Sequence, residues 1–207
     1  MKKLCLIIAA LLCLLPVAAA ECEPIELNEN MRYAANLFLS NFTEVGCSAV
    51  SNDSADLDLV DFAHDHLWFN DYDSFEYGEY FGDNNCRVSD DRIQEIVNKY
   101  FYDPHTVDLT QTRFDYADGY YYHCETGGWV NSGFAQTVSV YPVGDDVYFV
   151  SFIVFGGGDF WDNSVLNLSI RQSQAQFGHP NGYGSALIHA ENLADRSTYR
   201  MISYAPV

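Results

Sequence analysis

Lysine is nearly missing from this chain. Three of its 207 residues are lysine, and two of them, Lys2 and Lys3, stand at the very start, which leaves Lys99 alone in the body. Ten Lys and Arg face 29 Asp and Glu, a formal net charge of −19. Nucleic acid and anionic membrane surfaces are bound through clustered basic side chains, so the charge excludes both as partners. Such acidity keeps a protein soluble, and an acidic surface can also draw a basic partner or Ca²⁺.

The catalytic and metal-binding signatures are missing too. No CxxC pair exists, so neither a zinc ribbon nor a thioredoxin-like motif is indicated. There is no GxxxxGK[ST] loop, and Gly156-Gly157-Gly158 runs into Asp159, whose charge repels a phosphate. HExxH and GxSxG are absent, and the "GYGSA" stretch around Ser185 has the wrong spacing for a nucleophile elbow. Asp71, Asp73 and Glu76 lack the glycine and terminal Glu of an EF-hand loop. The sequence therefore predicts no cofactor and no metal, and it contains no internal repeat or low-complexity linker.

What is present begins with an address. Lys2 and Lys3, an apolar run from Leu4 to Leu15, and Ala18-Ala19-Ala20 form the pattern of a signal peptide over residues 1–20, cleaved after Ala20. The apolar run is too short to span a membrane comfortably, which takes roughly 20 residues. The expectation is a secreted or extracytoplasmic protein with no membrane span after cleavage, residues 21–207 forming one domain. Removing Lys2 and Lys3 leaves 8 basic residues against 29 acidic ones, a net charge of −21. Cys22 raises the question of a lipid anchor, but Glu21 is not the small residue such a signal wants before its cysteine. Cys22, Cys47, Cys86 and Cys124 remain after cleavage, and four cysteines in an exported chain predict two disulfides, with three connectivities open.

Hydrophobic periodicity then divides the domain. Met31, Ala34, Ala35, Phe38, Phe42 and Val45 recur at helical spacing, with Gly46 as a stop. A second helix is predicted from about Ala55 to Asn70. A third starts at Ser89, a good N-cap followed by Asp90 and Asp91, and buries Ile93, Ile96, Val97, Tyr100 and Phe101 before Asp103-Pro104. Beyond Pro104 the period becomes two. "QTRFDY" and "GYYYHC" flank Asp118-Gly119, a hairpin signal, and "AQTVSVYP" and "DVYFVSFIVF" flank Val143-Gly144-Asp145. The last of these is apolar on both faces and is expected to lie centrally, covered on both sides. "VLNLSIRQSQ", "YGSALIHAE" and "TYRMISYA" read as three further strands. The expected fold class is α+β: three N-terminal helices (about 28–103) packed on a curved antiparallel meander of about five to seven strands (about 107–205), cystatin-like or NTF2-like by analogy. Asn70 to Asn85 reads as a loop rich in acids and aromatics.

"DFAHDHLWFND", residues 61–71, poses the sharpest chemical question, because His64 and His66 could form a metal site. On a helix, residues two apart point about 200° apart and cannot share a ligand. A cupin-type His-x-His works from a strand, and here no matching later motif follows: Pro180 and Gly182 are too far from His189. What helical spacing does allow is an i, i+4 hydrogen bond between His66 and Asn70, a structural polar pair.

"ANLFLSNFTEVG", "LVDFAHDHLWFNDYDSF", "VSDDRIQEIVNKYF", "ADGYYYHCETGG" and "YRMISYAPV" resemble a recurrent domain of secreted and lipid-anchored proteins of gut Firmicutes. Its second helix reads Leu-x-x-Phe-Ala-x-x-His-x-x-x-Asn, with His66 and Asn70 in the last two places. The resemblance implies an extracytoplasmic setting and carries no activity. The remaining distinctive feature is aromatic. Tyr120, Tyr122, Trp129 beside Gly127-Gly128, and Trp161 after the triple glycine are candidates for a stacking surface, unless they are core. Acids around the two tryptophans favour a neutral glycan or a basic peptide as partner. The function expected is an exported, non-catalytic binding or interaction module; the alternative is a hydrolase acting on polysaccharide or peptidoglycan through a carboxylate pair.

Overall fold

The computed structural model describes residues 23–124, 133–156 and 163–207. Helix α1 spans Glu29–Thr43, with Asn28 Oδ1 accepting from the Met31 N–H at 3.0 Å as its cap. Helix α2 spans Asp56–Asn70 and α3 Asp90–Tyr100; each carries aspartates in its first turn, where the helix dipole favours negative charge. Ser89 is the N-cap of α3 in extended conformation, but its side chain makes no capping bond.

Short strands β1 (Val50–Ser51), β2 (Glu76–Tyr77) and β3 (Cys86–Ser89) lie among these helices. β4 (Asp115–Ala117) and β5 (Tyr120–His123) form the first hairpin, closed by Asp118 and Gly119 at φ 52° and 78°. Positive φ at both central residues is what a type I′ turn requires, and Asp-Gly supplies it cheaply. β6 (Gly133–Gly144), β7 (Val147–Gly156), β8 (Gly182–Ala190) and β9 (Tyr199–Pro206) follow.

The strands form two antiparallel sheets rather than one. A five-stranded sheet has the order β1-β9-β8-β7-β6, and a four-stranded sheet the order β2-β3-β5-β4. The helical and sheet halves are therefore interleaved: β1, β2 and β3 come from the stretch expected to be helix and loop. A second correction concerns residues 165–174. In place of a strand, a 3₁₀ turn at Asn163–Asn167 leads into helix α4, Ile170–Phe177. Ser169 and Gln172 make a capping box, a local signal stronger than the partial alternation of "VLNLSIRQSQ". Nor is β7 covered on both sides throughout. Val150 and Phe152 are buried on one face, whereas on the other Phe155 is buried and Phe149 and Ser151 are only half-buried.

The main core lies between α1, α2, α3 and the large sheet, and it is heavily aromatic. Phe42, fully buried, touches the rings of Phe38, Phe62, Tyr100, Phe101 and Tyr204. A smaller cluster of Phe134, Phe155, Val165 and Leu166 packs on the other side of the β6–β7 hairpin. Among the described residues no helix is long and apolar enough to cross a membrane.

Helix α1 serves both clusters and also seals the edge between them. β6 is an outer strand, and exposed edges carry unpaired backbone groups that invite aggregation. Three α1 side chains one turn apart satisfy that edge. Asn36 Oδ1 accepts from the Thr137 N–H at 2.7 Å, Ser40 Oγ accepts from the Ala135 N–H at 2.9 Å, and the Thr43 hydroxyl donates to the Gly133 carbonyl at 2.7 Å. The fit is geometric: two residues of strand advance about 6.7 Å, close to the 6 Å of four helical residues.

Candidate functional site

The two histidines of α2 point to different neighbours. His66, 3% exposed, lies beside Phe62 and Tyr100. Asn70 Nδ2 contacts His66 Nδ1 at 3.2 Å and donates to Glu44 Oε1 at 2.6 Å, so Nδ1 is the acceptor and the ring proton sits on Nε2. Burial holds the imidazole neutral, with its pKa pushed down to about 3, Lys99 adding to the effect. Burial also lifts the Glu44 carboxyl to about 7 against the lowering bond from Asn70. His64 faces the other way, stacked on Phe114 at 3.6 Å and near Phe75 and His123. Neither of its ring nitrogens has a hydrogen bond among the described residues; Asp65 stands 3.7 Å away, too far for one. No group of three or more His, Cys, Asp or Glu among the described residues is placed to hold a metal.

Cys22 lies outside the described residues, and among the described residues no two cysteines stand at disulfide distance. Cys86 stands opposite His123 in the β3–β5 register and donates to its carbonyl at 3.3 Å, so Cys124 is one residue out of step, and strand alternation turns it to the other face. Cys47 sits apart, after α1; its thiol is pushed up to about 12 by burial, then by Asp58 and Asp65.

Of the four aromatic candidates, Trp129 and Trp161 lie outside the described residues. Tyr122 is 7% exposed and packs on Tyr80 and Phe81, which makes it core rather than platform. Tyr120 is half-buried, with the Arg87 guanidinium 3.9 Å over its ring. The β5 tyrosines therefore pack the small sheet.

A cleft lies elsewhere, at the sealed edge of β6, with a volume of about 660 Å³. Ligand sites commonly measure about 300–1,000 Å³. One wall is the segment 24–27, anchored by the Ile25 N–H donating to the Val140 carbonyl at 2.8 Å. The opposite wall is Leu168 with the first turn of α4, which presents the positive end of its dipole. Arg32 and Asn36 of α1 and residues 136–139 of β6 complete the lining.

Two features mark this cleft. Gln136 and Thr137 are buried, at 1% and 6% exposure, yet Gln136 Oε1 and Thr137 Oγ1 have no hydrogen-bond partner among the described residues. The Gln136 amide nitrogen is committed to the Leu168 carbonyl at 2.9 Å, which fixes the side chain with its oxygen unsatisfied. A buried acceptor without a partner costs about 1–3 kcal/mol, and with less than 1 Å² accessible these two oxygens lie behind the cleft wall.

The second feature is charge. Arg87, Arg92 and Arg113 are paired with Glu76, with Asp71 and Glu95, and with Asp61 and Asp65. Arg32, Arg171, Lys99, Arg196 and Arg200 have no carboxylate partner among the described residues, although acids outnumber cations more than threefold after Ala20. Arg32 and Arg171 both line the β6 cleft, where the one carboxylate in the lining is Glu26. The Arg32 guanidinium reaches only the Leu27 carbonyl, at 3.4 Å.

None of these four residues stood out in the sequence. A buried glutamine inside "GFAQTVSV" is the available signal, since a polar residue among apolar strand positions is a local inconsistency of the sort that marks sites. Comparison with known proteins adds nothing to the geometry: no family model, no curated protein and no solved structure matches the chain. The resemblance drawn from the helix and tyrosine motifs gains no support from them.

Proposed function

We propose that this chain is an exported, non-catalytic binding module and that its ligand occupies the β6 cleft. The observation that carries the reading is that Arg32 and Arg171, which no carboxylate among the described residues claims, line one cleft together with apolar side chains. A ligand suited to this cleft has an oxyanion for Arg32 and Arg171 and an apolar body for Ile25, Leu27, Val138, Leu168 and Ile170. That is the chemistry of a peptide C-terminus or an N-acyl amino acid. The arginines turn the ligand away from the neutral glycan or basic peptide expected from the sequence. Export rests on the pattern of residues 1–20 and the excess of acid. The cystatin-like or NTF2-like analogy is kept as a proposal, supported by the helical layer on an antiparallel sheet. Hydrolysis by a carboxylate pair is the weaker reading: the two acids raised by burial, Glu44 and Asp61, line no part of the β6 cleft, and Asp61 is held by Thr112 and Arg113.

Calorimetric titration with N-acetyl-leucine, its amide, a neutral oligosaccharide and a basic peptide tests this. The free acid is expected to bind, and its amide to bind about tenfold more weakly, a loss of ~1.4 kcal/mol. Arg171→Gln should cost the acid a similar factor. Thr137→Val should leave binding intact and thermal stability unchanged or raised, because it deletes a buried hydroxyl that has no partner among the described residues. Tighter binding of the neutral oligosaccharide, indifferent to Arg171→Gln, overturns the reading.

A further inference from the structure

The three remaining unpaired cations come together at a second place, away from the β6 cleft. A pocket of about 160 Å³ is lined by Lys99 and Tyr100 from the end of α3, Phe38 and Asn41 from α1, and Arg196, Ser197, Tyr199 and Arg200 from the 3₁₀ turn and β9. Three of the eight basic residues that follow Ala20 thus meet on one small concavity of a strongly acidic chain.

Local structure accounts for part of this. Lys99 lies in the last turn of α3, where the dipole favours a cation, and its ammonium lies 5.1 Å from the Tyr100 ring. Arg200 is held by the carbonyls of Ser197 and Tyr199, at 2.8 and 2.7 Å. Nothing of this kind holds Arg196. The three charges share this concavity: Lys99, exposed overall, is lowered by partial desolvation and then by Arg196, Arg92 and Arg200, against the opposing pull of Asp71. Asp195, the nearest carboxylate in sequence, is spent on the Ser197 N–H and hydroxyl at 3.0 and 2.7 Å. Like charges gathered without a counter-charge are expensive, and a bound anion relieves them.

The pocket, at about 160 Å³, has room for one tetrahedral oxyanion. It shares Ser197 and Arg200 with a neighbouring cleft of about 420 Å³, also lined by Tyr102, stacked on His189 at 4.5 Å, and by Asp103 and Glu191. The two carboxylates there disfavour a second negative charge and suit a hydroxylated, uncharged group. We infer that this paired pocket binds a phosphate monoester, its phosphate held by Lys99, Arg196 and Arg200 and its polar substituent lying along Tyr102 and His189.

The test uses the full chain at constant ionic strength, with chloride as the control and inorganic phosphate and glycerol 1-phosphate as probes, followed by ³¹P NMR and calorimetry. Glycerol phosphate is expected to saturate a single site and to bind at least threefold more tightly than inorganic phosphate. Lys99→Gln with Arg196→Gln should weaken it at least tenfold. Both side chains are exposed, so circular dichroism and melting should stay native. Arg196→Gln alone gives the same reading should the double variant fold poorly. Inorganic phosphate binding as tightly as the ester overturns the monoester assignment. Unchanged binding in the variants, or none to either probe, overturns the site.

Discussion

His66 shows how a histidine that raises the question of a metal site can be packed in the core instead. Its ring is enclosed by Phe62, Tyr100 and Asn70, and its neutrality is enforced by burial. The sign of the linkage is set by the two pKa values. A histidine near 6.5 when unfolded and about 3 when folded takes up its proton preferentially in the unfolded chain, so stability is lost as pH falls below 6.5. His64, also lowered by burial, adds to that loss. Glu44 works in the opposite sense: its folded value of about 7 against 4.5 unfolded gives stability that is lost as pH rises through that window. We therefore predict that His66→Gln destabilises by about 1–3 kcal/mol near pH 7. The gap to the parent should narrow by up to ~1.4 kcal/mol per pH unit between pH 6.5 and 4.5. Urea midpoints across that range measure it; a constant gap contradicts the burial account. The i, i+4 pair was legible because helical spacing alone brings 66 and 70 together. The part played by Glu44 was not, since it comes from the end of another helix.

At the scale of elements, the relation between α1 and β6 decides most. Asn36 bridges two buried backbone groups, accepting from the Thr137 N–H and donating to the Leu166 carbonyl at 2.9 Å. Asn36→Ala would leave both unpaired, a cost of roughly 2–6 kcal/mol at about 1–3 for each. Ser40→Ala would free one N–H and cost correspondingly less. Chemical denaturation gives both numbers. If Asn36→Ala cost no more than a surface substitution, the edge-sealing role would be wrong. Helices α1, α2 and α3 were readable because each buries a periodic apolar stripe, and the Asp118-Gly119 hairpin because its turn chemistry is local. Helix α4 was misread because Val165, Leu166 and Leu168 belong to the 3₁₀ turn and small cluster before it, where their spacing imitates a strand. The split into two sheets was invisible for a different reason: β1, β2 and β3 are two to four residues long, and β1 and β3 gain partners from far along the chain.

On the scale of the whole molecule, the scarcity of cations is the most informative property. With few to spare, each one's partner can be traced: three neutralise acids, two line the β6 cleft, and three gather at the end of α3. Composition revealed the scarcity, but only the fold shows where the cations meet, because Arg32 and Arg171 are 139 positions apart in sequence. The aromatic excess resolves the other way, since the described aromatics mostly pack the core and the small sheet. Amide chemical-shift mapping with N-acetyl-leucine tests the central claim, that the β6 cleft is the binding site. Shifts concentrated at 25–27, 136–139 and 168–171, and abolished by Arg171→Gln, are the predicted result. Shifts centred on the β5 tyrosines or elsewhere, with those three segments unmoved, would contradict it.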